Sequence, residues 1–287
     1  MTSTPGSTKQ SAEAVRRAAV ITHGKREAIG PALERLHKVA SESGVELLIP
    51  EDELVKHGLG DRGTELADAD IAVVLGGDGT MLRALRRFLG TTIPAVGVNF
   101  GSVGFLTSIG ESDLEEGLAR VFAGEYEISE LPTLEARAED ERRDAINDVV
   151  ATSSTLGRMV ELEWSVGGEP LGTLPCDGLI CATPSGSTAY NLSNGGPVLV
   201  WGLDALTVTF IAPHSLRARP LVVPRGRDVT VTNSTPDVWV SVLADGHVFA
   251  EIPPGGTMAV GLGPQRSLLA TLPESTFFRR YRETFAG

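Results

Sequence analysis

The strongest constraint on how this chain folds is an apolar strand that runs directly into a glycine loop. The apolar run from Ile71 to Leu75 ends at Gly76-Gly77-Asp78-Gly79-Thr80, and a helical pattern from Met81 to Phe88 follows. Glycines let backbone N–H groups approach a phosphate without a Cβ in the way, and the N-terminus of a helix adds partial positive charge. This order of strand, glycine loop and helix therefore predicts a phosphate-binding turn.

The carboxylate of Asp78 is the unusual part of this loop. A loop that only bound phosphate would avoid an anion at this position. Asp78 therefore indicates a group that binds Mg2+ or accepts a proton from a hydroxyl during phosphoryl transfer. The alternative is a tight turn in which Asp78 caps the following helix, and the spacing fits both interpretations equally well.

Alternating strand and helix patterns fill the first half of the chain. Strand patterns occur at residues 18–22, 45–49, 70–75 and 93–99, and helical patterns at residues 29–39 and 81–88. Such alternation predicts a mainly parallel sheet covered on both faces, as an α/β Rossmann-like domain over residues 16–130. Ligands of these sheets bind at the carboxyl ends of the strands, which is where Asp78 would lie.

After about Leu131 the pattern changes to short alternating strands separated by Gly, Pro and Asn turns. Examples are residues 162–166, 207–210, 228–232 and 238–242. They predict an all-β second domain of stacked sheets over residues 131–265. The remaining segment, residues 266–287, contains an aromatic and charged run with helical spacing, and we expect it to return to the α/β domain.

Composition limits where the protein works and what it binds. Residues 1–15 are polar and predict a disordered tail rather than a signal peptide, and the apolar runs are far too short to span a membrane, so we expect a cytoplasmic protein. The formal net charge of -12 disfavours binding to nucleic acid or to an anionic membrane. An anion site on this chain must gather positive potential locally, from helix N-termini, backbone N–H groups, Mg2+ and a few arginines.

The two cysteines, Cys176 and Cys181, flank four residues of what the pattern predicts to be a single strand. Alternation along one strand would put this odd-spaced pair on opposite faces, which argues against a disulfide between them. We therefore expect two small buried side chains.

Several common signatures are absent from the sequence. There is no G-x-x-x-x-G-K-[ST] motif, and the glycines of residues 97–104 have the wrong spacing for a dinucleotide fingerprint. No H-E-x-x-H, C-x-x-C or G-x-S-x-G occurs. Zinc hydrolase, thiol redox and serine esterase functions are excluded on this basis.

A second group of polar residues lies in the β-rich half. The hydroxyl-rich block, residues 183–197, combines Ser, Thr, Gly and Asn with Tyr190. Its small side chains permit close approach of a flat base, and its hydroxyls and amides can bind the base edge and the ribose. Asn147 and Asp148 precede an apolar pair, where they could hold vicinal ribose hydroxyls. A surface loop and an Asx-turn are the respective alternatives.

Together these segments resemble the NAD kinase family, in the right order and over roughly half of the chain. The resemblance rests on residues 76–82, 98–107, 147–150, 177–197, 213–222 and 245–246. The segment 177–197 is the most specific. The glycine loop is shared with diacylglycerol kinases, sphingosine kinases and 6-phosphofructokinases, so by itself it indicates only the superfamily.

The resemblance implies an enzyme that moves the terminal phosphoryl group of ATP or polyphosphate onto the 2′-hydroxyl of the adenosine ribose of NAD, which makes NADP. It implies Mg2+, or another divalent cation, held mainly through the donor phosphates, with no protein metal ligands. It also implies a homodimer or homotetramer in which the active site lies between the two domains and is completed by a neighbouring subunit.

The resemblance further implies that Asp78 is the base that receives the proton of the 2′-hydroxyl. The NAD- and nucleotide-binding residues that it implies are Gly76, Gly77, Gly79, Thr80, Arg83, Asn147, Asp148, Arg158, Asp177, Thr188, Ala189, Tyr190, Ser193 and His247. Among these, Arg83 would lie near phosphate, with a solvated helix face as the alternative. Many family members carry Glu in place of Asp148, so the carboxylate of this chain is one methylene shorter.

Two other functions remain open from the sequence. A lipid or sphingoid kinase of the same superfamily would bury an acyl chain and associate with membranes, which the acidic charge and the hydroxyl-rich block disfavour. A non-catalytic NAD sensor is the second alternative. A sensor would have no need of the carboxylate of Asp78.

Overall fold

The computed structural model of the chain describes residues 9–10, 13–24, 26–58, 60, 62–101 and 104–286. The chain divides into two compact units. The α/β unit comprises the described residues up to Glu130 and those from Ser267 onward, and the β unit comprises Leu131–Arg266. Within the predicted polar tail, residues 1–8, 11 and 12 lie outside the described residues, as do Ser102 and Val103 of the predicted glycine-rich segment.

The α/β unit alternates strands with helices. Its strands are β1 (Lys9–Gln10), β2 (Arg17–Thr22), β3 (Glu46–Leu48), β4 (Ile71–Leu75), β5 (Ala95–Asn99) and β6 (Ile109–Gly110). Its first four helices are α1 (Arg26–Ser43), α2 (Glu51–His57), α3 (Asp78–Arg87) and α4 (Leu114–Phe122), and a 3-10 turn, Glu111–Asp113, precedes α4. The short strand β1, within the predicted tail, pairs with residues 127 and 128.

The central strands of this unit form a parallel sheet in the order β3-β2-β4-β5. In β4, Val73 lies opposite Val20 on one side and Val96 on the other. All five residues of β4 are buried, as expected of a β-branched strand that is covered on both faces. Because the strands are parallel, the loops after β2, β4 and β5 emerge at the same edge of the sheet. That edge carries the glycine loop.

The β unit contains antiparallel strands. They are β7 (Glu127–Ala138), which begins in the α/β unit, β8 (Glu141–Ala145), β9 (Asp148–Ser153), β10 (Val160–Val166), β11 (Glu169–Cys176), β12 (Gly178–Ala182), β13 (Ala205–Ile211), β14 (Leu221–Pro224), β15 (Val229–Asn233), β16 (Val240–Ala244), β17 (His247–Ile252) and β18 (Thr257–Thr271), which ends in the α/β unit. A 3-10 turn, Gly186–Thr188, and the short helix α5 (Tyr190–Ser193) interrupt them.

Two sheets of the β unit share one hydrophobic core. One sheet has the order β14-β13-β12-β9-β16-β17, and the other contains β11, β10 and β15 with part of β18. The core joins Leu179 of the first sheet to Leu162 and Val231 of the second. Trp164 and Phe210 meet edge to face with their ring centroids 5.3 Å apart. The predicted all-β domain of stacked sheets is confirmed.

The prediction of a single strand around the cysteines was wrong. Cys176 ends β11 and Cys181 lies in β12, and the two strands belong to different sheets. The chain turns at Asp177, where Pro175 and the Asp177-Gly178 pair were the available turn signal. Both thiols are buried and free, and burial raises their pKa to about 12.

The last helix, α6 (Phe277–Phe285), belongs to the α/β unit. It begins after Thr276, whose side-chain oxygen accepts the N–H of Arg279 at 3.2 Å and caps the helix. Phe277 packs against Phe105, with their ring centroids 6.0 Å apart. Across the described part of the chain, no helix combines the length and apolar character that a membrane crossing needs.

Candidate active site

The glycine loop joins the buried end of β4 to the start of α3. Gly76 donates its N–H to the carbonyl of Val98 at 2.9 Å, which ties the loop to β5. A Cβ on Gly76 would come within 2.5 Å of Thr80 Oγ1, so close packing requires glycine there. Gly77 is the N-cap of α3, and Asp78 is the first residue of that helix. The loop thus presents a helix N-terminus, with its partial positive charge, at the edge of the sheet.

The carboxylate of Asp78 is bound by a second loop of the same unit. Its Oδ2 accepts the N–H of Phe105 at 2.7 Å, and its Oδ1 accepts the N–H of Leu106 at 3.0 Å. A Cβ on Gly104 would come within 2.2 Å of Oδ1, so glycine is required at that position as well. The alternative that Asp78 caps α3 is wrong, because the cap is Gly77 and α3 has no side-chain cap hydrogen bond. The carboxylate is therefore fixed by residues 105–106.

A cleft of about 840 Å³ opens over the glycine loop within the α/β unit. All five residues of the loop line it, together with Arg83, His23 after β2 and Asn99 at the end of β5. The cleft therefore lies at the carboxyl ends of parallel strands, where open α/β sheets bind their ligands. Its size is that of a small-molecule or nucleotide site.

Arg83 lines this cleft and forms an ion pair with a buried carboxylate. Its Nη2 donates to Glu53 Oε1 at 3.0 Å and to the carbonyl of Thr22, while the side chain stays 49% exposed. Glu53 is 1% exposed and also contacts Lys56 Nζ at 2.7 Å. A buried carboxylate needs such partners, because an unpaired one is strongly destabilising. The guanidinium is thereby oriented toward the cleft.

In the β unit, Asn147 and Asp148 stand at the start of β9, and Asp245 holds their backbone. The carboxylate of Asp245 accepts the N–H of Ile146 at 2.9 Å, of Asn147 at 2.7 Å and of Asp148 at 3.2 Å. Asp245 has the left-handed φ of 46°, and Gly246 follows with φ 80° in the tight turn from β16 to β17. Within the described residues, Asn147 Oδ1 is buried without a hydrogen-bond partner. A buried acceptor of this kind points to a ligand donor.

Asp148 is 7% exposed, and burial raises the pKa of its carboxyl to about 7, with a smaller contribution from the negative charge of Asp245. An acid with a raised pKa stabilises the fold only while it holds its proton. Between about pH 4 and pH 7 the unfolded chain releases this proton and the folded chain keeps it, so the contribution of Asp148 to stability is lost as pH rises through that window.

We therefore expect the Asp148→Asn substitution to raise the melting temperature of the ligand-free protein by about 3 °C more at pH 8 than at pH 5. Asparagine carries no charge to bury, so the variant avoids the loss at high pH. Thermal unfolding at the two pH values measures the difference. Asp140→Asn, at an exposed turn of the same unit, is the control and should change the melting temperature equally at both. An equal gain at both pH values in the Asp148 variant would contradict the assignment.

Within the hydroxyl-rich block, the fully buried Asn191 anchors the segment to strand β13. Its Nδ2 donates to the carbonyls of Ser187 and Pro197, each at 3.0 Å. Its Oδ1 accepts the hydroxyls of Thr207 and Thr209 on β13, each at 2.7 Å. The block is thus a rigid part of the β unit rather than a loose surface loop, because four hydrogen bonds fix its centre.

We expect the Asn191→Ala substitution to lower the free energy of unfolding by about 3 kcal/mol, because it leaves buried carbonyls and hydroxyls without their partner. We also expect the KM for a ligand of this block to rise, since the loop loses its anchor. Urea unfolding and steady-state kinetics measure the two effects. Asn194→Ala is the matched control, because its side chain makes a single bond, to the carbonyl of Tyr190 at 2.9 Å. Equal stability of the two variants would show that the anchor is unimportant.

The structure brings the block against the Asn147–Asp148 strand end. The N–H of Thr183 donates to the carbonyl of Asn147 at 2.9 Å, and a Cβ on Gly186 would come within 2.0 Å of that carbonyl oxygen. The predicted binding residues Thr188, Ala189, Tyr190 and Ser193 follow on the 3-10 turn and α5, and Tyr190 is 45% exposed. One cluster of the β unit therefore contains most of the predicted dinucleotide-binding residues.

Three predicted residues make other contacts. Arg158 forms an exposed ion pair with Asp237, with Nη2 at 2.8 and 3.0 Å from the two carboxylate oxygens. Asp177 is exposed between β11 and β12, and its carbonyl accepts the hydroxyl of Thr152 at 2.9 Å. His247 Nδ1 lies 2.9 Å from the carbonyl of Asp245, next to the Asn147–Asp148 cluster. Arg158 is thus held by an acid outside the predicted site.

Comparison with known protein families identifies both halves of the chain. Residues 61–126 match the ATP-NAD kinase N-terminal domain, and residues 146–272 match the ATP-NAD kinase C-terminal domain. The chain belongs to the NAD kinase family. The two matched segments contain the glycine loop with Asp78 and the Asn147–Asp148 cluster with the hydroxyl-rich block, so the family assignment rests on the residues described above.

Individual relatives support the same family. The NAD kinase of Heliobacterium modesticaldum is 42% identical over 236 residues, which cover 80% of this chain and 83% of the relative. The NAD kinase of Gemmatimonas aurantiaca is 38% identical over 229 residues, which cover 78% and 79% of the two chains.

Two solved structures share the fold. An NAD kinase from Archaeoglobus fulgidus in complex with ATP has a TM-score of 0.74 and 26% identity, and the match covers 94% of this chain and 97% of the other. Yeast NADH kinase complexed with NADH has a TM-score of 0.81 at 22% identity over 100% of this chain and 95% of the other. This similarity confirms the α/β and β-rich architecture.

Sequence reasoning missed the residues that support the site from behind. Glu53, which orients Arg83, lies on α2 without any motif around it. Asp245 belongs to an Asp-Gly turn that the family resemblance includes, and this turn was the one local signal for its importance. Its three hydrogen bonds to backbone N–H groups join residues 97 to 99 positions apart, which no local pattern shows. Asn191 stands inside the hydroxyl-rich block, where its burial was not visible from composition.

Proposed function

We propose that this member of the NAD kinase family transfers the terminal phosphoryl group of ATP to the 2′-hydroxyl of the adenosine ribose of NAD and so makes NADP. The observation that carries the proposal is the setting of Asp78. Its carboxylate is fixed by two N–H groups in a cleft whose lining includes several glycines, Arg83 and the N-terminus of α3. This arrangement joins phosphate binding to a proton acceptor.

In this proposal Asp78 receives the proton of the attacking hydroxyl. Each carboxylate oxygen accepts one backbone N–H and keeps a further lone pair for that proton. An aspartate is a weak base, but little charge builds on the nucleophile in a loose transition state. Positioning therefore carries most of the acceleration, and Asp78 takes the proton late. The N–H groups of the glycine loop and Arg83 bind donor phosphate oxygens.

The β-unit cluster binds the dinucleotide in this proposal. Asn147 Oδ1 is a buried acceptor that a ribose hydroxyl would satisfy, and Asp148 follows it as the first residue of β9. Thr188, Ala189, Tyr190 and Ser193 provide hydroxyls, a small side chain and an aromatic face for the rest of the dinucleotide. The anchored block presents these groups without a large loss of conformational entropy on binding.

In this proposal Mg2+ would bind together with the phosphoryl donor, ATP. The described residues contain no group of three or more His, Cys, Asp or Glu side chains that could hold a metal ion, while glycine N–H groups and Arg83 line the cleft. Such a site suits a metal that arrives on phosphate oxygens, as Mg2+ usually does. When bound, the ion neutralises charge on the transferring phosphoryl group.

A coupled assay tests the proposal directly. The protein is incubated with NAD, Mg2+ and either ATP or polyphosphate, and NADP is detected by an NADP-specific dehydrogenase. We expect NADP with ATP, and the polyphosphate arm decides whether that donor is also accepted. An absence of NADP in both arms would refute the function.

Both alternatives would give no NADP in this assay, and two further measurements separate them. A lipid or sphingoid kinase would phosphorylate diacylglycerol or sphingosine and leave NAD unchanged. A non-catalytic sensor would bind NAD in a calorimeter and release no product. The geometry of Asp78 disfavours the sensor, because binding alone does not need a fixed carboxylate among phosphate-binding groups.

The assembly and the location of the protein remain part of the proposal. We propose a homodimer or homotetramer in which a neighbouring subunit completes each active site, and residence in the cytoplasm. Both rest on the family resemblance and on composition. Light scattering of the purified protein tests the assembly.

A further inference from the structure

Arg280 of α6 is a buried cation close to the glycine loop. It is 3% exposed, and its Nη1 donates to the carbonyls of both Phe105 and Thr107. Burial lowers the pKa of Arg280 to about 10, and the negative charge of Asp78 opposes that shift. The guanidinium therefore stays charged at neutral pH. Burying a charge is costly in free energy, so a buried cation needs hydrogen-bond partners that offset the cost.

The 105–107 segment lies between Arg280 and Asp78. On one side, the N–H groups of Phe105 and Leu106 bind the two oxygens of the Asp78 carboxylate. On the other side, the carbonyls of Phe105 and Thr107 accept the guanidinium of Arg280. Chains of hydrogen bonds polarise one another, so a cation on the Phe105 carbonyl strengthens the Leu106 N–H, which belongs to the same peptide group, as a donor. One short stretch of backbone thus couples the cation to the carboxylate.

We propose that Arg280 is a positioning residue for Asp78, which it orients through residues 105–107. This inference rests on the proposed function, in which Asp78 is the base. The planar guanidinium holds two carbonyls at once and fixes the direction of the N–H groups that bind the carboxylate. It does not touch the substrates. Its effect is to keep the carboxylate at the position from which it accepts the hydroxyl proton.

Surface arginines of the same helix behave differently. Arg279 is exposed and pairs with Glu283 at 2.8 Å, one turn along α6. Exposed ion pairs of this kind contribute little to stability. Arg279 therefore provides a matched control, because it shares the helix and the charge of Arg280, while its side chain pairs with Glu283 rather than with the 105–107 segment.

The test compares Arg280→Met, Arg280→Lys and Arg279→Ala in the full chain. We expect Arg280→Met to lower kcat by about 100-fold, since a shift of about 1 Å in a reacting group has that cost. The KM values for NAD and ATP should stay within about two-fold, because the binding residues are unchanged. Arg280→Lys should recover part of kcat, since lysine keeps the charge, and Arg279→Ala should match the wild type.

A double-mutant cycle with Asp78→Asn separates positioning from a general structural role. If Arg280 acts through Asp78, then Arg280→Met should cost little further activity in the Asp78→Asn background. Additive costs would overturn the proposal, as would an unchanged kcat or a loss confined to KM. If Arg280→Met lacks a cooperative thermal transition, Arg280→Gln replaces it, because glutamine still donates to a carbonyl and carries no charge. Wild-type activity on NAD is measured alongside, so failure of this inference leaves the proposed function intact.

Discussion

The Asp78→Asn variant is expected to bind NAD with near wild-type affinity and to lose turnover by about 10²- to 10⁴-fold, the usual contribution of a general base. Asparagine cannot take a proton from the attacking hydroxyl. It also offers a single acceptor oxygen where the carboxylate now accepts the N–H groups of both Phe105 and Leu106. Its NH2 group would face one of these donors. We would measure kcat with the coupled NADP assay and NAD affinity by isothermal titration calorimetry.

The matched control for this variant is Asp52→Asn. Asp52 belongs to the same unit but is exposed, and it pairs with Arg87 at 2.9 Å. The Asp52→Asn variant should keep full turnover. A loss of turnover that occurs only in Asp78→Asn then cannot be attributed to the change in net charge. Normal activity of Asp78→Asn would remove Asp78 from the mechanism, and a loss of NAD binding would indicate a binding role instead.

The second large effect is expected from Gly104→Ala. A Cβ at this position would lie 2.2 Å from Asp78 Oδ1 and 2.5 Å from its Cγ, well inside van der Waals contact. The methyl group must therefore displace the carboxylate from residues 105–106. We expect kcat to fall by about 100-fold through this displacement, with NAD affinity retained. Steady-state kinetics and calorimetry measure the two quantities.

Gly101→Ala tests whether any methyl group in this loop is harmful. The nearest atom to a Cβ at that position is Asn99 Oδ1, at 4.0 Å, so the added methyl has room. We expect turnover within about three-fold of the wild type, since no positioned group has to move. If both glycine variants lost activity equally, the loop as a whole would be the cause rather than the contact with Asp78.

Local patterns carried the prediction of the fold. The apolar runs of β2, β4 and β5 and the helical spacing of α1 and α3 are visible in the sequence because these elements bury one face or both. The strands β8, β11 and β14 escaped detection. The residues of β8 and β11 are mostly exposed, so these strands show neither an apolar run nor a clear alternation. The strand β14 is apolar, but it is only four residues long and also mostly exposed.

The candidate site was predictable only where its residues form contiguous motifs. The glycine loop and the hydroxyl-rich block are short segments with distinctive composition. The supporting contacts are different, since Arg280 reaches Phe105 across 175 residues and Asp245 reaches Asn147 across 98. Such pairs arise from tertiary packing, and no local pattern records them. The resemblance to a family supplied the substrate, which the residues by themselves left open.

The burial of the two cysteines bears on how the enzyme reacts with oxidants. A thiol with a pKa of about 12 is almost entirely protonated at neutral pH, and only the thiolate reacts readily with peroxides or disulfides. Both side chains are fully buried in the core of the β unit. We therefore expect phosphoryl transfer by this protein to be insensitive to thiol oxidants, since neither cysteine presents a reactive thiolate.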